Sequence, residues 1–416
     1  MKRALMVAYH FPPLAGSSGI QRTLRFVQQL PAFGWQPLVL SAHPMAYERT
    51  ATDLQQDVPA GTEVRRALAL DTARHLSVFG RYPAFMARPD RWISWQFDAV
   101  RQGMQLLQKH RPEVIWSTYP IATAHLIGAE LHRQSGIPWV ADFRDPMAQD
   151  GYPTDPVTWK QFDAIERHAV HTAALSVFTT PGAAQVYRNR YPQAADRIVV
   201  LENGYDEESF VAAERTEQHR PPLNPGTFTL LHSGIVYPSE RDPTALFKAL
   251  RHLKDQGGLQ ASELKIRFRA STNDPMLHQL SVEHGVQDFI ETCPPLGYHE
   301  ALAEMLRADA LLVLQASNCN EQIPAKMYEY LRARKPIVCL SDPVGDTVGV
   351  LRAAGLDTFA PLDDPTAIAR LLTRVKHDSH TGLHRLPEPS FVKNASRAGR
   401  TGTLARLFGS VAPSAA

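Results

Sequence analysis

Leu5-Met6-Val7-Ala8-Tyr9 is followed by a glycine-containing loop, Gly16-Ser17-Ser18-Gly19, an amphipathic stretch from Ile20 to Leu30, and a second apolar run, Leu38-Val39-Leu40. An unbroken apolar run of strand length reads as a strand buried on both faces. A buried strand, a helix of 3.6-residue period and another buried strand form the opening of a parallel sheet covered by helices. The alternation continues through strands at Glu113–Ser117, Trp139–Ala141, Leu175–Thr179 and Ile198–Leu201. Helical patterns lie between them at Ala122–Arg133 and Trp159–Thr172.

Residues 207–226 interrupt this pattern. They are polar and contain Pro221-Pro222 and Pro225-Gly226, so they read as a linker. Alternation resumes with strands at Phe228–His232, Leu264–Ala270, Phe289–Thr292, Ala310–Leu314 and Ile337–Leu340. Helices fit Pro243–Leu253, Glu300–Arg307 and Pro324–Arg334. The expected organisation is an α/β domain over 1–206, a linker over 207–226, a second α/β domain over 227–378 and a tail over 379–416. In the tail, Phe391 to Phe408 reads as one last amphipathic helix, and Val411–Ala416 reads as a frayed end. A chain of 416 residues exceeds one ordinary core, which agrees with two domains.

The formal net charge is +2, without the basic excess that a nucleic-acid partner would call for. The three cysteines, Cys293, Cys319 and Cys339, are few, odd in number and not in metal-ligand spacing, which suits free thiols in a reducing compartment. After Met1-Lys2-Arg3 the apolar run is too short for a signal-peptide core, and no uncharged apolar stretch approaches a membrane span. A cytoplasmic protein is expected.

The stretch richest in chemistry is Glu321-Gln322-Ile323-Pro324-Ala325-Lys326-Met327-Tyr328-Glu329. Pro324 suits the first turn of a helix, where its missing N–H costs nothing. That helix start offers unpaired N–H groups and a partial positive charge to a phosphate, and Lys326 adds a full charge beside it. Glu329 shares a face with Lys326 and, as an acceptor-only carboxylate, could take two hydroxyl hydrogen bonds from a ribose. Glu321 lies in the loop before the helix. The same spacing also fits a solvated Lys326–Glu329 pair with no ligand.

The E-x7-E spacing, continued by Tyr330-Leu331-Arg332-Ala333-Arg334-Lys335-Pro336-Ile337-Val338, resembles the signature of retaining GT-B glycosyltransferases of the large family 4 group. The resemblance extends to Tyr9-His10-Phe11-Pro12-Pro13 and Gln21-Arg22 in the opening loop. It includes the block from Trp139 to Pro146, Glu202-Asn203-Gly204-Tyr205-Asp206, and His232-Ser233-Gly234. It implies two Rossmann-like, doubly wound parallel-sheet domains facing across a cleft, with a nucleotide-sugar donor mainly on the second and the acceptor mainly on the first. The last helix would return to the N-terminal domain.

Carried over by residue, the resemblance implies that Glu329 binds ribose hydroxyls, Glu321 contacts the donor sugar and Lys326 the diphosphate. Gly234 would let the backbone approach the phosphates. Leu296, Gly297 and Tyr298 fall where the family holds the base, and Gly16 and Gly19 shape the loop near the donor phosphate. There are two departures. Ile235 follows Gly234 where many relatives have an arginine, which leaves Arg241 and Lys326 to neutralise the diphosphate. Asp142, Phe143, Arg144 and Asp145 stand where relatives often have a histidine that touches the donor sugar. Asp142 and Arg144 are catalytic candidates with Glu321, and the transferred sugar does not carry over.

His10, just after the first strand, and His125 are acceptor-side candidates. The apolar neighbours of His125 also fit a packed core histidine, and His232 at the end of a strand fits function or packing. No D-x-D motif is present, so no metal is expected, and basic groups would carry the leaving-group charge. The expected chemistry is front-face substitution with retention, from a nucleotide-sugar to a glycan or lipid-linked acceptor in cell-surface or exopolysaccharide synthesis. A GT-B-like nucleotide-sugar 2-epimerase is the competing reading.

One further region stands out. Residues 65–111 hold nine Lys and Arg against three Asp, a local excess of +6, interleaved with Phe79, Tyr82, Phe85, Trp92, Trp95 and Phe97. This stretch fits peripheral contact with a membrane carrying a lipid-linked acceptor, which would put the chain at the inner face of the cytoplasmic membrane. It also fits an ordinary solvated face whose aromatics are packed in the core.

Overall fold

In a computed structural model, which describes all residues except 18, 53, 218, 219 and 414–416, the chain forms two compact units. Met1–Asn203 and Arg397–Ala416 form the first, and Gly204–Ser396 the second.

The first unit holds a seven-stranded, all-parallel sheet. Its strands are β1 (Lys2–Val7), β2 (Trp35–Ala42), β3 (Val64–Ala67), β4 (Val114–Thr118), β5 (Trp139–Arg144), β6 (Leu175–Phe178) and β7 (Ile198–Val200), in the order β3-β2-β1-β4-β5-β6-β7. The register pairs Leu5 with Leu38 and with Ile115. Successive side chains of β1 enter different cores. Leu5 and Val7 join one cluster, while Ala4 and Met6, with Ala8 just past the strand, join another on the opposite face. This two-sided burial is why the strand is an uninterrupted apolar run.

The second unit repeats the design with six parallel strands: β8 (Phe228–Ser233), β9 (Leu264–Arg269), β10 (Ile290–Cys293), β11 (Ala310–Gln315), β12 (Ile337–Ser341) and β13 (Phe359–Ala360). Their order is β10-β9-β8-β11-β12-β13. Leu230 and Leu231 again serve opposite clusters. In both sheets the order reverses beside the first strand of the unit, between β1 and β4 and between β8 and β11. Such switch points are where open α/β sheets bind ligands, beyond the C-terminal strand ends.

Four expectations require correction. The segment 207–226 is not a plain linker, because Glu207–Glu217 is a helix. Phe210 and Ala213 bury in the second unit's core, and Arg332 pairs with Glu207 and Glu214. Residues 218 and 219 of that segment lie outside the described residues. The final helix is not continuous from Phe391 to Phe408. Pro389–Asn394 and Arg397–Val411 are separate helices, because Ser396 leaves the helical path to bridge Tyr205. The frayed end expected at Val411–Ala416 is helical at Val411, and 414–416 lie outside the described residues. Pro324 is not in the first turn of its helix, which runs Lys326–Ala333 with Ala325 as its cap. Pro324 instead accepts a hydrogen bond from Met327 N through its carbonyl.

Arg397–Val411 packs within the first unit. Phe408 meets Trp35 edge-on at 5.3 Å, and Leu404 and Ala405 share their cluster. Gly402 permits this approach, since a Cβ there would lie 2.9 Å from the Phe33 ring.

Candidate functional site

In the second unit the loop after β8 carries Gly234, whose φ is +119°. Tyr330 Oη accepts from the Ser233 N–H (2.9 Å), and the Gly234 N–H donates to the Arg269 carbonyl (2.8 Å), so the loop is fixed on both sides of the glycine. Lys326, the first residue of its helix, reaches back to this loop, and a Cβ on residue 234 would lie only 3.2 Å from its ammonium. The ammonium also lies 3.2 Å from His232 Nε2. His232 is fully buried, with Nδ1 3.0 Å from the Leu312 carbonyl. A carbonyl only accepts, so Nδ1 carries the proton and Nε2 accepts from Lys326. Burial, then the lysine charge, holds the His232 pKa well below its ordinary value, which keeps the ring neutral.

Arg241 completes the cationic group. It donates to the Ile235 carbonyl (2.6 Å) and stacks over Tyr237 at 5.1 Å. Burial, followed by the Arg241 charge, lowers Lys326 to about 7. Two cations held close together, with the Glu329 carboxylate only partly offsetting the charge on Lys326, favour a bound anion. One turn along the helix, Glu329 accepts from Tyr298 Oη (3.1 Å). Tyr298 opens the helix Tyr298–Arg307 after the Gly297 cap, and Leu296 and Tyr298 are exposed. Gly297 N–H is engaged by Glu300 (3.1 Å). Glu321 is exposed in the loop between β11 and the Lys326 helix. That loop is pinned from below, where Gln315 at the end of β11 donates to the Cys319 and Gln322 carbonyls (2.6 and 3.0 Å). The structure therefore brings Gly234, Arg241 and Lys326 together, and Tyr298 with Glu329, at the β8–β11 switch point.

The first unit has its own cluster at the ends of β1, β4 and β5. Arg144 closes β5 with φ +62°, where the register to β6 shifts. A non-glycine residue at positive φ is strained and persists where surroundings hold it. Here Arg144 donates to Thr118 Oγ1 (2.8 Å) and to the Gly19 carbonyl (3.3 Å). Burial lowers it to about 10. Asp142 is fully buried, grips Arg22 through two hydrogen bonds (2.9 and 3.0 Å) and accepts from Thr118 (3.1 Å). Arg22 also donates to the Leu201 carbonyl (3.0 Å). Asp142 therefore corrects the expectation of a catalytic group. Its oxygens are committed, so it positions Arg22 and Arg144 and has no access to a reacting atom.

Two guanidinium groups share this one carboxylate, beside the start of the helix Gly19–Gln29. His10 lies against the same point, since a Cβ on Gly19 would sit 2.5 Å from its Nδ1 and 2.9 Å from Arg144. Burial, then Arg144, lowers His10 to about 4, so it is neutral near pH 7. Gly16, at φ +80°, lies with Arg49 instead of this cluster. Ser18 of the same loop is outside the described residues.

His125 is a core residue, which corrects its placement among the acceptor-side candidates. Its ring packs 4.8 Å from Phe143 and 6.1 Å from Trp139, with Nδ1 2.8 Å from Ser117 Oγ. Burial lowers its pKa to about 3. We expect His125→Leu to keep activity within about twofold and to cost on the order of 1 kcal/mol, because Ser117 retains its bond from Trp139 Nε1 (2.8 Å). Steady-state rates and a urea melt check both parts.

Sequence reasoning left His232 open between function and packing and did not assign Arg22, Thr118 and Tyr330 to the site. Arg22 and His232 lay inside quoted blocks, but nothing local marks their partners.

Known proteins share the fold of this chain. Residues 18–204 match a glycosyl transferase 4-like domain. No curated protein matches the sequence. Among solved structures, sucrose-phosphate synthase from Thermosynechococcus elongatus is similar at 14% identity and TM-score 0.61, covering 99% of this chain and 98% of that one. Anabaena HepE in complex with UDP is similar at 14% identity and TM-score 0.60, covering 99% and 97%. The trehalose 6-phosphate synthase of Burkholderia multivorans is similar at 13% identity and TM-score 0.63, covering 99% and 97%. The fold is that of GT-B glycosyltransferases. Within that fold, residues 18–204 are similar to a glycosyl transferase 4-like domain.

Proposed function

We propose that the chain transfers a glycosyl group, with retention, from a nucleotide-sugar to a glycan or lipid-linked acceptor in cell-surface or exopolysaccharide synthesis. The observation that carries this reading is Lys326, held by His232 against Gly234 beside Arg241, with the Glu329–Tyr298 pair one turn further on. The cations suit a diphosphate, and the carboxylate suits ribose hydroxyls. The UDP and UDP-glucose complexes of HepE support a donor of this class. The three cysteines are free thiols, which suits action in the cytoplasm.

The step breaks the bond between the sugar's anomeric carbon and the diphosphate oxygen, and forms one from that carbon to the acceptor oxygen. The acceptor's hydroxyl proton passes to the departing diphosphate on the same face. Lys326 and Arg241 stabilise the charge that develops there, without a metal. Glu321 is assigned to the donor sugar. In the first unit, Arg144 is assigned a catalytic role, His10 an acceptor-side role and Gly19 a donor-binding role.

Donor turnover with and without acceptor, followed by the product's anomeric configuration, tests the proposal. Acceptor-dependent release of nucleoside diphosphate with retained configuration is expected. Inversion would overturn the stereochemistry, and sugar isomerisation without any acceptor would favour the epimerase.

A further inference from the structure

The excursion between β3 and the helix Trp95–His110 separates the aromatics of residues 65–111 into two groups. Trp95 is fully buried, and Trp92 packs on Tyr9 at 4.7 Å and donates to the Ala46 carbonyl. Phe79 and Phe85 do the opposite, at 100% and 72% exposure, and Val78 is 68% exposed. Val78 and Arg81 exchange both backbone hydrogen bonds (2.8 and 3.0 Å), so Phe79-Gly80 is a two-residue hairpin tip. Both tip residues have positive φ, +50° and +73°. That turn favours Asn or Asp followed by Gly at its two centres, and a bulky aromatic in the first is strained. A fully exposed phenylalanine in a strained backbone site gains nothing from folding. Its placement there points to a use outside the fold.

The charge within the excursion itself has one sign, although Arg88 is paired with Asp155 (3.0 Å). Residues 72–89 contain three arginines and no acid. The flanking Asp71 and Asp90 are engaged locally, Asp71 with Arg91 and Asp90 with Thr123. Arg74 and Arg81 are exposed. Among the described residues, no helix is long and apolar enough to cross a membrane.

We propose that the Val78–Arg81 hairpin tip, with Phe85, inserts into an anionic lipid surface while Arg74 and Arg81 meet the headgroups. Exposed aromatics drive insertion into the interface, and the cations select negative lipid. The tip belongs to neither cluster of the candidate site, so the inference stands apart from the proposed reaction.

The test is sedimentation of the full chain with phosphatidylglycerol–phosphatidylcholine vesicles at low salt. The wild type should pellet, and should not pellet with phosphatidylcholine alone. Phe79→Asn combined with Phe85→Ser should weaken binding at least about tenfold, and Arg81→Glu should weaken it further. Asn accepts the turn, so Phe79→Asn should melt no lower than the wild type, which excludes misfolding as the cause. The proposal is overturned if the wild type stays in the supernatant with anionic vesicles, or if the double variant pellets equally. It is also overturned if Phe79→Asn only abolishes self-association, seen by light scattering, because the tip then serves a second copy of the chain.

Discussion

Lys326→Met should lower turnover by about 10²–10³-fold, the usual cost of removing one preorganised group from developing transition-state charge, while raising the melting temperature. The two effects share one cause. His232 Nε2, 3.2 Å away, accepts from the ammonium, but burial and Arg241 together disfavour the charge and lower the group to about 7. A lysine whose folded pKa lies below its unfolded value binds fewer protons folded than unfolded between those values. Its contribution to stability therefore rises with pH from about 7 toward 10.5, and its penalty is full below about 7. Methionine fills similar volume without charge and removes that slope, so the gain in melting temperature should be largest at low pH. A bound diphosphate reverses the balance by favouring the ammonium. Donor affinity of the wild type should accordingly fall as pH rises above about 7, by up to about tenfold per unit, and the variant should lack that dependence. Paired melts and titrations at pH 6 and pH 9 check both signs. A variant that loses stability, or an affinity flat across that range in the wild type, would contradict the assignment.

Asp142→Ala should be the most destabilising single change in the first unit, at about 3–5 kcal/mol, because it leaves two buried guanidinium groups without their carboxylate. For a unit of this size that corresponds to roughly 6–20 °C in melting temperature. Arg22 ties Asp142 to the Leu201 carbonyl, and Arg144 is held at positive φ by contacts that converge on the same point. Removing the carboxylate therefore loosens the ends of β5 and β7 together. Calorimetry of Asp142→Ala and of Arg22→Met with Asp142→Ala provides the check. The double variant should recover part of the loss, since one unpaired charge is gone. A loss below about 1 kcal/mol would mean that the carboxylate is not the keystone described.

Much of this architecture was readable in the residues themselves. Strands buried on both faces, such as Leu5-Met6-Val7 and Leu311-Leu312-Val313, show as apolar runs without any partner being known. The second-unit site was legible where it is local, since Lys326 and Glu329 share the start of one helix. β3 was not, because it is a four-residue edge strand carrying Arg65 and Arg66, and a charged edge guards against stray pairing. Glu207–Glu217 read as linker because its apolar face is short, with Phe210 and Ala213 buried in the second unit's core and the ion pairs to Arg332 formed with a distant segment. The two polar contacts that organise the sites, one a hydrogen bond and one an ion pair, join residues 94 and 120 positions apart. No periodicity encodes such pairs. Only strand order brings the ends of β8 and β11, or of β4 and β5, side by side.

The central claim is that the second unit binds the donor through its diphosphate and ribose, and thermal shift against UDP-, GDP-, dTDP- and CMP-sugars tests it most directly. A ligand present at 100 times its Kd should stabilise by about 2.7 kcal/mol. At least one nucleotide-sugar should raise the melting temperature of the wild type, and Glu329→Ala should lose most of that rise while its own melting temperature changes little. If none of the four shifts the wild type, or if Glu329→Ala keeps the full shift, the donor site is not where Lys326 and Glu329 place it.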